Sequence, residues 1–290
     1  MNLESLQALV TAAELNSFSL AAEKLHLTQP AVSKRIATLE THLGKRLFDR
    51  IGRKIYLTEA GKTLLPHAYR IIGEADNALR TLQNLSGNVA GHLTVATTQH
   101  IGLYHLPQIL HEFIHSFTDV TLHFDFMSSE SAYASVLQGK LDLAIITSPA
   151  KLSPQICFTP LWLEALDFAT SADHPLAQLA NPKMEDLSQY RAVLPGETTF
   201  TRKIINKFFE EQNLELKVTG NTDYIEAIKV LVTAGFGWGV LPRRVIDQQL
   251  KILEIKDIQF SRQIGCIYQK SRTQSNASQA FLDLLQSFGH

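Results

Sequence analysis

Cysteine is scarce. The 290 residues hold two, Cys157 and Cys266, far apart and in no metal-ligand spacing. Both stand beside apolar residues and read as buried thiols; a redox pair would need them close in space. Long apolar runs are also missing. No stretch approaches the roughly 18 residues a membrane span requires. Met1-Asn2-Leu3-Glu4 is no basic segment leading into an apolar run, so a secretory signal is not expected and the cytoplasm is the expected location. Charge of one sign is missing as well: 27 Lys and Arg stand against 28 Asp and Glu, a net charge of −1, which excludes a polycationic coat for nucleic acid. A converging acid–base or metal constellation is absent from the pattern, so no enzyme, cofactor or metal centre is expected. His105 and His111 are six residues apart, not four. Gly235-Phe236-Gly237-Trp238-Gly239 lacks the strand–turn–helix order of a nucleotide-cradling loop.

What is present is unevenly placed. Residues 1–62 carry nine Lys or Arg against six Asp or Glu, a modest basic excess that suits a specific DNA-contacting surface. Leu3, Leu6, Val10 and Ala13 recur at helical spacing. Asn16-Ser17-Phe18-Ser19 breaks that helix, and Ser19 is the expected N-cap of a second helix through Leu25, with small Ala21 and Ala22 permitting a close crossing. His26-Leu27 turns the chain. Thr28 is the expected cap of a third helix, and Pro30 falls in its first turn, where a missing N–H costs nothing. Val32, Ile36, Leu39 and Leu43 face inward. Gln29, Pro30, Ser33, Lys34 and Arg35 are left on or beside the outer face, and such a helix fits the major groove. Gln29 offers donor and acceptor to a base edge; Ser33, Lys34 and Arg35 reach phosphates or guanine. Residues 51–58 then read as a tight ribbon whose basic tip, Arg53 and Lys54, meets phosphates or a minor groove. The competing reading is an ordinary solvated polar face.

The run Phe18, Ala21-Ala22-Glu23, Leu25, Thr28-Gln29-Pro30-Ala31, Ser33, Ile36, Leu39-Glu40, Leu43-Gly44, Leu47-Phe48-Asp49-Arg50 and Leu57-Thr58-Glu59-Ala60-Gly61 resembles the N-terminal signature of LysR-type transcriptional regulators. Chain length and C-terminal organisation fit as well. The resemblance implies a winged helix-turn-helix over 1–58, with Gln29, Pro30, Ser33 and Arg35 at the reading helix and Arg53 in the wing. It implies a dimerisation helix and hinge over 59–91. A two-lobed α/β effector domain of periplasmic-binding-protein type follows over 92–290, one lobe about 92–161 and 267–290, the other about 162–266. The implied partners are double-stranded promoter DNA, a small-molecule effector, further copies of the chain in a dimer and tetramer, and RNA polymerase.

The residues agree with that plan. Glu59 to about Leu85 forms one long expected helix of roughly 40 Å, with Leu65, Ala68, Ile72, Ala75, Leu79 and Leu82 as a coiled-coil seam. Packing against the same chain is the alternative use of that stripe. From His92 strands and helices alternate, as in a largely parallel α/β sheet. Strands are expected at 93–97, 120–126, 141–146, 192–194, 216–218, 239–241 and 264–268. Helices are expected at 104–117, 132–137, 201–211, 224–234 and 277–288, and a second unit is expected to begin at Phe168-Ala169.

Ligands in open α/β sheets bind beyond the carboxyl ends of strands. That rule selects Thr97, Thr98, Gln99 and His100, then Ser128 and Ser129, Thr147 and Ser148, and Thr198 and Thr199, with Thr222 approaching from a crossing segment. The family-typical effector position adds Met127. Hydroxyls at helix N-termini favour a small organic acid. A neutral aromatic ligand stays open, because Phe126, Phe200 and Trp238 could line one side. His100 has no carboxylate partner nearby in sequence and is expected to donate one hydrogen bond, or to pair with an acidic effector when protonated. The expected function is an effector-responsive, sequence-specific DNA-binding regulator. A constitutive DNA binder and an enzyme with a DNA-binding appendage are the alternatives.

Overall fold

The computed structural model describes residues 2–52, 54–85, 87–256 and 258–289. The chain divides into two compact units, Met1–Gly87 with Arg272–Ser275, and Asn88–Ser271 with Asn276–His290.

The first unit begins with three helices, α1 (Leu3–Leu15), α2 (Phe18–Lys24) and α3 (Gln29–Leu43). Asn2 caps α1 by accepting from the Ser5 amide, and Asn16 ends it in the left-handed conformation. The cap of α2 is Ser17, two residues before the expected Ser19: its hydroxyl accepts from the Leu20 amide at 3.3 Å. Starting earlier places Phe18 inside the helix, edge-on to Phe48 at 5.4 Å. Thr28 holds the extended N-cap backbone of α3 without a side-chain cap bond. Val32, Ile36 and Leu39 are fully packed, but Leu43 is 38% exposed, because Gly44 turns the chain away (φ +63°) before the next core contact. The wing is an antiparallel pair, β1 (Phe48–Ile51) and β2 (Lys54–Leu57), which pairs Phe48 with Leu57 and Ile51 with Lys54.

Helix α4 (Glu59–Asn84) starts where Thr58 accepts from the Gly61 amide. Its apolar stripe divides. Ala68 is fully buried, and Leu65 and Ile72 pack on the same core as α1–α3. Leu79, Leu82 and Leu85 are 59%, 66% and 80% exposed. The N-terminal half of the stripe therefore packs within its own chain, as the alternative reading allowed, and the C-terminal half stays open.

The second unit is one twisted sheet wrapped by helices. In chain order it contains β3 (Gly91–Thr97), α5 (Gln99–Tyr104), α6 (Pro107–Ser116), β4 (Val120–Phe126), α7 (Ser129–Leu137), β5 (Leu143–Thr147), β6 (Ile156–Ser171), α8 (Met184–Gln189), β7 (Arg191–Leu194), α9 (Phe200–Glu211), β8 (Lys217–Asn221), α10 (Ile225–Thr233), β9 (Trp238–Pro242), β10 (Leu250–Ile252), β11 (Phe260–Gln269) and α11 (Asn276–Ser287). Strand order is β4-β3-β5-β11-β6-β9-β7-β8, with β10 on β6. The outer strands pair in parallel within each end of the sheet. Two long antiparallel strands, β6 and β11, run through the middle and join the lobes. The expected second unit at Phe168 is therefore the far half of a 16-residue strand, and β11 begins at Phe260 rather than Ile264.

The helix expected over 104–117 is α6, which starts three residues later at Pro107, and the short helix α5 before it is not among the expected elements. Pro107 supplies no amide hydrogen and disfavours helical backbone before it, so α5 stops at Tyr104 and α6 restarts with proline in its first turn. The break leaves His105 turned into the protein. Each lobe has its own core, one around Ile101, Ile109, Phe113 and Phe281, the other around Phe168, Phe209 and Trp238.

Candidate functional site

Two surfaces gather the expected residues. On the first unit, Gln29, Pro30 and Lys34 are exposed at the start of α3, and Lys54 is exposed on the wing. Arg35 is half-buried and bonded to Glu4 of α1 at 2.7 Å, so its guanidinium already has an anionic partner. Ser33 is half-buried. Arg53 lies outside the described residues. The expectation passed over Glu40: its Oε1 accepts from the Leu47 and Phe48 amides at 2.7 and 3.3 Å, which fixes the start of the wing against α3.

On the second unit, a cavity of about 600 Å³ opens between the lobes. Four helix N-termini point toward it. Thr98 caps α5, Ser128 caps α7 and Thr199 caps α9, each through its hydroxyl; α10 begins at the cavity edge after Tyr224. Of the residues expected there, Thr98, Gln99, His100, Met127, Ser128, Ser129, Thr147 and Thr199 line the cavity. Thr97, Thr198, Ser148 and Thr222 do not. Thr97 is buried, and its hydroxyl donates to the Ile145 carbonyl at 2.8 Å within the sheet. The Thr222 hydroxyl accepts from the Tyr224 amide and shapes the turn before α10.

The aromatic expectation is corrected at two positions. Trp238 is fully buried in the second lobe, its indole N–H donating to the Leu187 carbonyl at 2.9 Å. Phe200 packs edge-on to Tyr133 and is not among the lining residues. Phe126 does line the cavity. Before Trp238, Gly237 holds φ +155°, and a Cβ there would lie 2.1 Å from the Arg191 carbonyl oxygen. The glycine-rich segment is a close backbone crossing.

A buried polar cluster, not expected from the sequence, lies at the floor of the cavity. Glu164 of β6 accepts at Oε1 from His100 Nε2 at 2.8 Å and His105 Nε2 at 3.0 Å. Arg262 of β11 donates to Oε2 through Nε and Nη2 at 2.9 and 2.7 Å, and through Nη1 to the Thr201 hydroxyl at 2.9 Å. His100 therefore has a carboxylate partner, 64 residues away in sequence. Burial pushes the Glu164 carboxyl up, but the bonds from His100 and His105 and the charge of Arg262 outweigh it and hold it well below the usual carboxylate range. Burial pushes the His100 imidazole down against the pull of Glu164, so the ring is neutral. An ionised carboxylate only accepts, so both rings carry hydrogen on Nε2. Ligand-capable atoms of His100, His105 and Glu164 lie within 4.8 Å of one another. Their spacing is that of direct hydrogen bonds, and Arg262 already neutralises the carboxylate, so the cluster is a charge-assisted network.

The carboxylate of Glu130, on α7, reaches across the cavity and accepts from the Phe200 amide at the start of α9. One signal for the cluster is present in the sequence: Glu164 interrupts the apolar run Leu161-Trp162-Leu163 and Ala165-Leu166, and burial there requires a partner, whereas Arg262 stands between polar Ser261 and Gln263 and signals nothing. The cysteines stay apart from all this. Both are free, and burial pushes the Cys266 thiol up to about 12, which leaves it unreactive near neutrality.

The family model described as "LysR substrate binding domain" matches residues 86–289, and that described as "Bacterial regulatory helix-turn-helix protein, lysR family" matches residues 3–62. The chain belongs to the LysR family. A LysR relative from Synechocystis sp., named "Probable RuBisCO transcriptional regulator", is 33% identical over 290 residues, spanning 97% of this chain and 84% of the relative. A full-length OxyR variant from Pseudomonas aeruginosa shares the fold at a TM-score of 0.74 and 22% identity, covering all of both chains. The effector binding domain of QuiR in complex with shikimate is 25% identical with a TM-score of 0.63, covering 69% of this chain and 97% of that one. This LysR-family chain is accordingly a DNA-binding transcriptional regulator with an effector domain, and its relatives are regulators rather than enzymes.

Proposed function

We propose that this regulator reads promoter DNA with the exposed start of α3 and the wing, and that a small molecule bound between the lobes changes how it does so. The observation that carries the reading is the cavity itself. Residues selected by one rule from distant stretches of chain meet in a single space of about 600 Å³. A constitutive binder would be favoured by a cleft filled with its own side chains, and this one is open. In QuiR the effector binding domain holds shikimate, a precedent for ligand binding by this fold.

In this reading Gln29 contacts base edges, and Lys34 and Lys54 meet phosphates. Arg35 joins them only by leaving Glu4. The exposed end of α4 pairs two chains so that two reading helices meet a twofold operator, and a tetramer follows from pairing of dimers. The protein acts on the chromosome in the cytoplasm, and contact with RNA polymerase is the step that an activating mode requires. No described helix is long and apolar enough to cross a membrane.

Footprinting of the purified protein on its own chromosomal neighbourhood tests the DNA half. Lys54→Ala should weaken binding to all sequences alike and lower the salt slope by about one, whereas Gln29→Ala should alter discrimination between sites. Negligible effects from both remove the assigned surface. Ligand-dependent change in the footprint tests the effector half; affinity for ligand must differ between the DNA-bound and free protein for the coupling to exist.

A further inference from the structure

The floor of the cavity holds acceptors without partners. His100 is 3% exposed, its Nε2–H is committed to Glu164, and its Nδ1 has no hydrogen-bond partner. Both carboxylate oxygens of Glu226, in the first turn of α10, are buried and likewise unpartnered. Nδ1 and Glu226 Oε1 face each other across 3.9 Å, too far for a hydrogen bond. Since the ring nitrogen is a lone-pair acceptor and the carboxylate accepts only, neither can donate to the other. Among the described residues, the one Lys or Arg lining the cavity is Arg262, and it already faces Glu164 and Thr201. The remaining charged lining residues, Glu130, Asp223 and Glu226, are acidic.

Buried acceptors in this arrangement call for donors, and the local charge calls for a cation. Their 3.9 Å gap is shorter than two hydrogen bonds of about 2.9 Å, so one nitrogen can bridge both atoms once the side chains part to admit it, both being closed to solvent here. Leu103, Phe126 and Ile225 supply apolar wall for the rest of a small molecule. We propose that the effector carries a protonated primary amine, whose N–H groups bridge His100 Nδ1 and the Glu226 carboxylate at the cavity floor. The inference rests on the reading of this cleft as the effector site. It replaces the small organic acid expected from the hydroxyl caps alone, although a carboxylate elsewhere on the same ligand is compatible with the helix N-termini.

Matched probes test it on the full chain by calorimetry: putrescine against glutarate, and phenethylamine against 3-phenylpropionate. Each amine should bind at least about tenfold more tightly than its acid, and Glu226→Gln should erase that preference, as expected for loss of a charge-assisted bond. Nitrogen-15 spectra of the imidazoles in the unsubstituted protein give a readout independent of any variant's folding. Putrescine should move the His100 Nδ1 resonance away from that of a free lone pair. Tighter binding of the acids, an unaltered amine affinity in Glu226→Gln, or no binding by either amine overturns the proposal. Footprints collected beside these titrations separate the two readings. If amines bind through Glu226 and the footprint is unchanged, the ligand chemistry stands and the effector role falls. If acids bind and shift the footprint, the effector role stands and the ligand chemistry falls.

Discussion

At the scale of single residues, the cluster on Glu164 is the most consequential feature of the effector domain. Four side chains from α5, the α5–α6 break, β6 and β11 meet there, and the Glu164, Arg262, His100 and His105 side chains are each 3–4% exposed. Glu164→Gln would leave the Arg262 guanidinium buried without its counter-charge. The expected loss is about 3–5 kcal/mol in the effector domain's unfolding free energy, measured by urea titration with unchanged slope. A loss below about 1 kcal/mol would show that the network is not structural. The pH dependence has a definite sign. Burial holds the folded pKa of His100 below its ordinary value of 6.5, so the unfolded chain takes up a proton that the folded ring refuses. The same holds for His174, also depressed by burial. Stability is therefore unaffected by these groups above about pH 7 and falls as pH drops below 6.5. Glu164 acts in the same direction in a lower window, because its depressed carboxyl also takes up a proton more readily in the unfolded chain: its contribution is complete above its ordinary 4.5 and is lost only below that. Melting temperatures between pH 8 and 5 should therefore decline toward acid, with a shallower decline in His100→Gln. Flat melting over that range contradicts the neutral, buried assignment.

At the scale of elements, legibility followed locality. The three helices and wing of the first unit are readable because caps, turns and 3.6-residue spacing act over a few residues, as with Thr28, Pro30 and the Val32–Ile36–Leu39 stripe. Ser17 and Ser19 satisfy the same local capping rule, and the packing of Phe18 on Phe48 favours Ser17. Spacing alone starts α6 at Tyr104, three residues early, because it takes no account of Pro107, which sets the observed start. The continuity of β6 and the meeting of His100, Glu164 and Arg262 depend on a strand pairing 98 positions apart and a helix-to-strand contact 64 apart, which no local pattern encodes. Helix α4 offers a test of what the long-range part adds. Gly61 and Gly73 share that helix, and by propensity alone replacement with alanine stabilises either by about 0.5–1 kcal/mol. A Cβ at Gly73 meets nothing within 4 Å, whereas at Gly61 it would lie 2.3 Å from the Leu47 carbonyl oxygen. Gly73→Ala should therefore raise the calorimetric melting temperature of the DNA-binding unit, and Gly61→Ala should lower it by the equivalent of about 1–3 kcal/mol. Equal effects of the same sign would mean that the packing of α4 against the wing is looser than these distances.

At the scale of the whole molecule, the far end of α4 is the surface that calls for a second chain. Its apolar stripe is consistent with a two-chain seam, yet Leu65, Ala68 and Ile72 pack on the chain's own helices, and Asn84 and Asn77 hold the 272–275 loop through bonds of 2.8 and 3.2 Å. Leu79 and Leu82 remain exposed three residues apart, with Leu85 one further step along. Fully burying a leucine is worth about 1.5–3 kcal/mol, so two such residues on each of two chains are enough to decide association at micromolar concentration. In the proposed assembly a single reading helix is insufficient for a twofold operator, so loss of pairing and loss of specific DNA binding must coincide. The double substitution Leu79→Glu with Leu82→Glu should convert the protein to monomers in sedimentation, leave the melting of the DNA-binding unit within about 1 kcal/mol of the original because neither side chain contributes to its core, and abolish the discrete footprint while sparing weak, salt-sensitive binding to any duplex. Retention of dimers would place the pairing surface elsewhere on the chain, and retention of the footprint by monomers would show that two reading helices are not required.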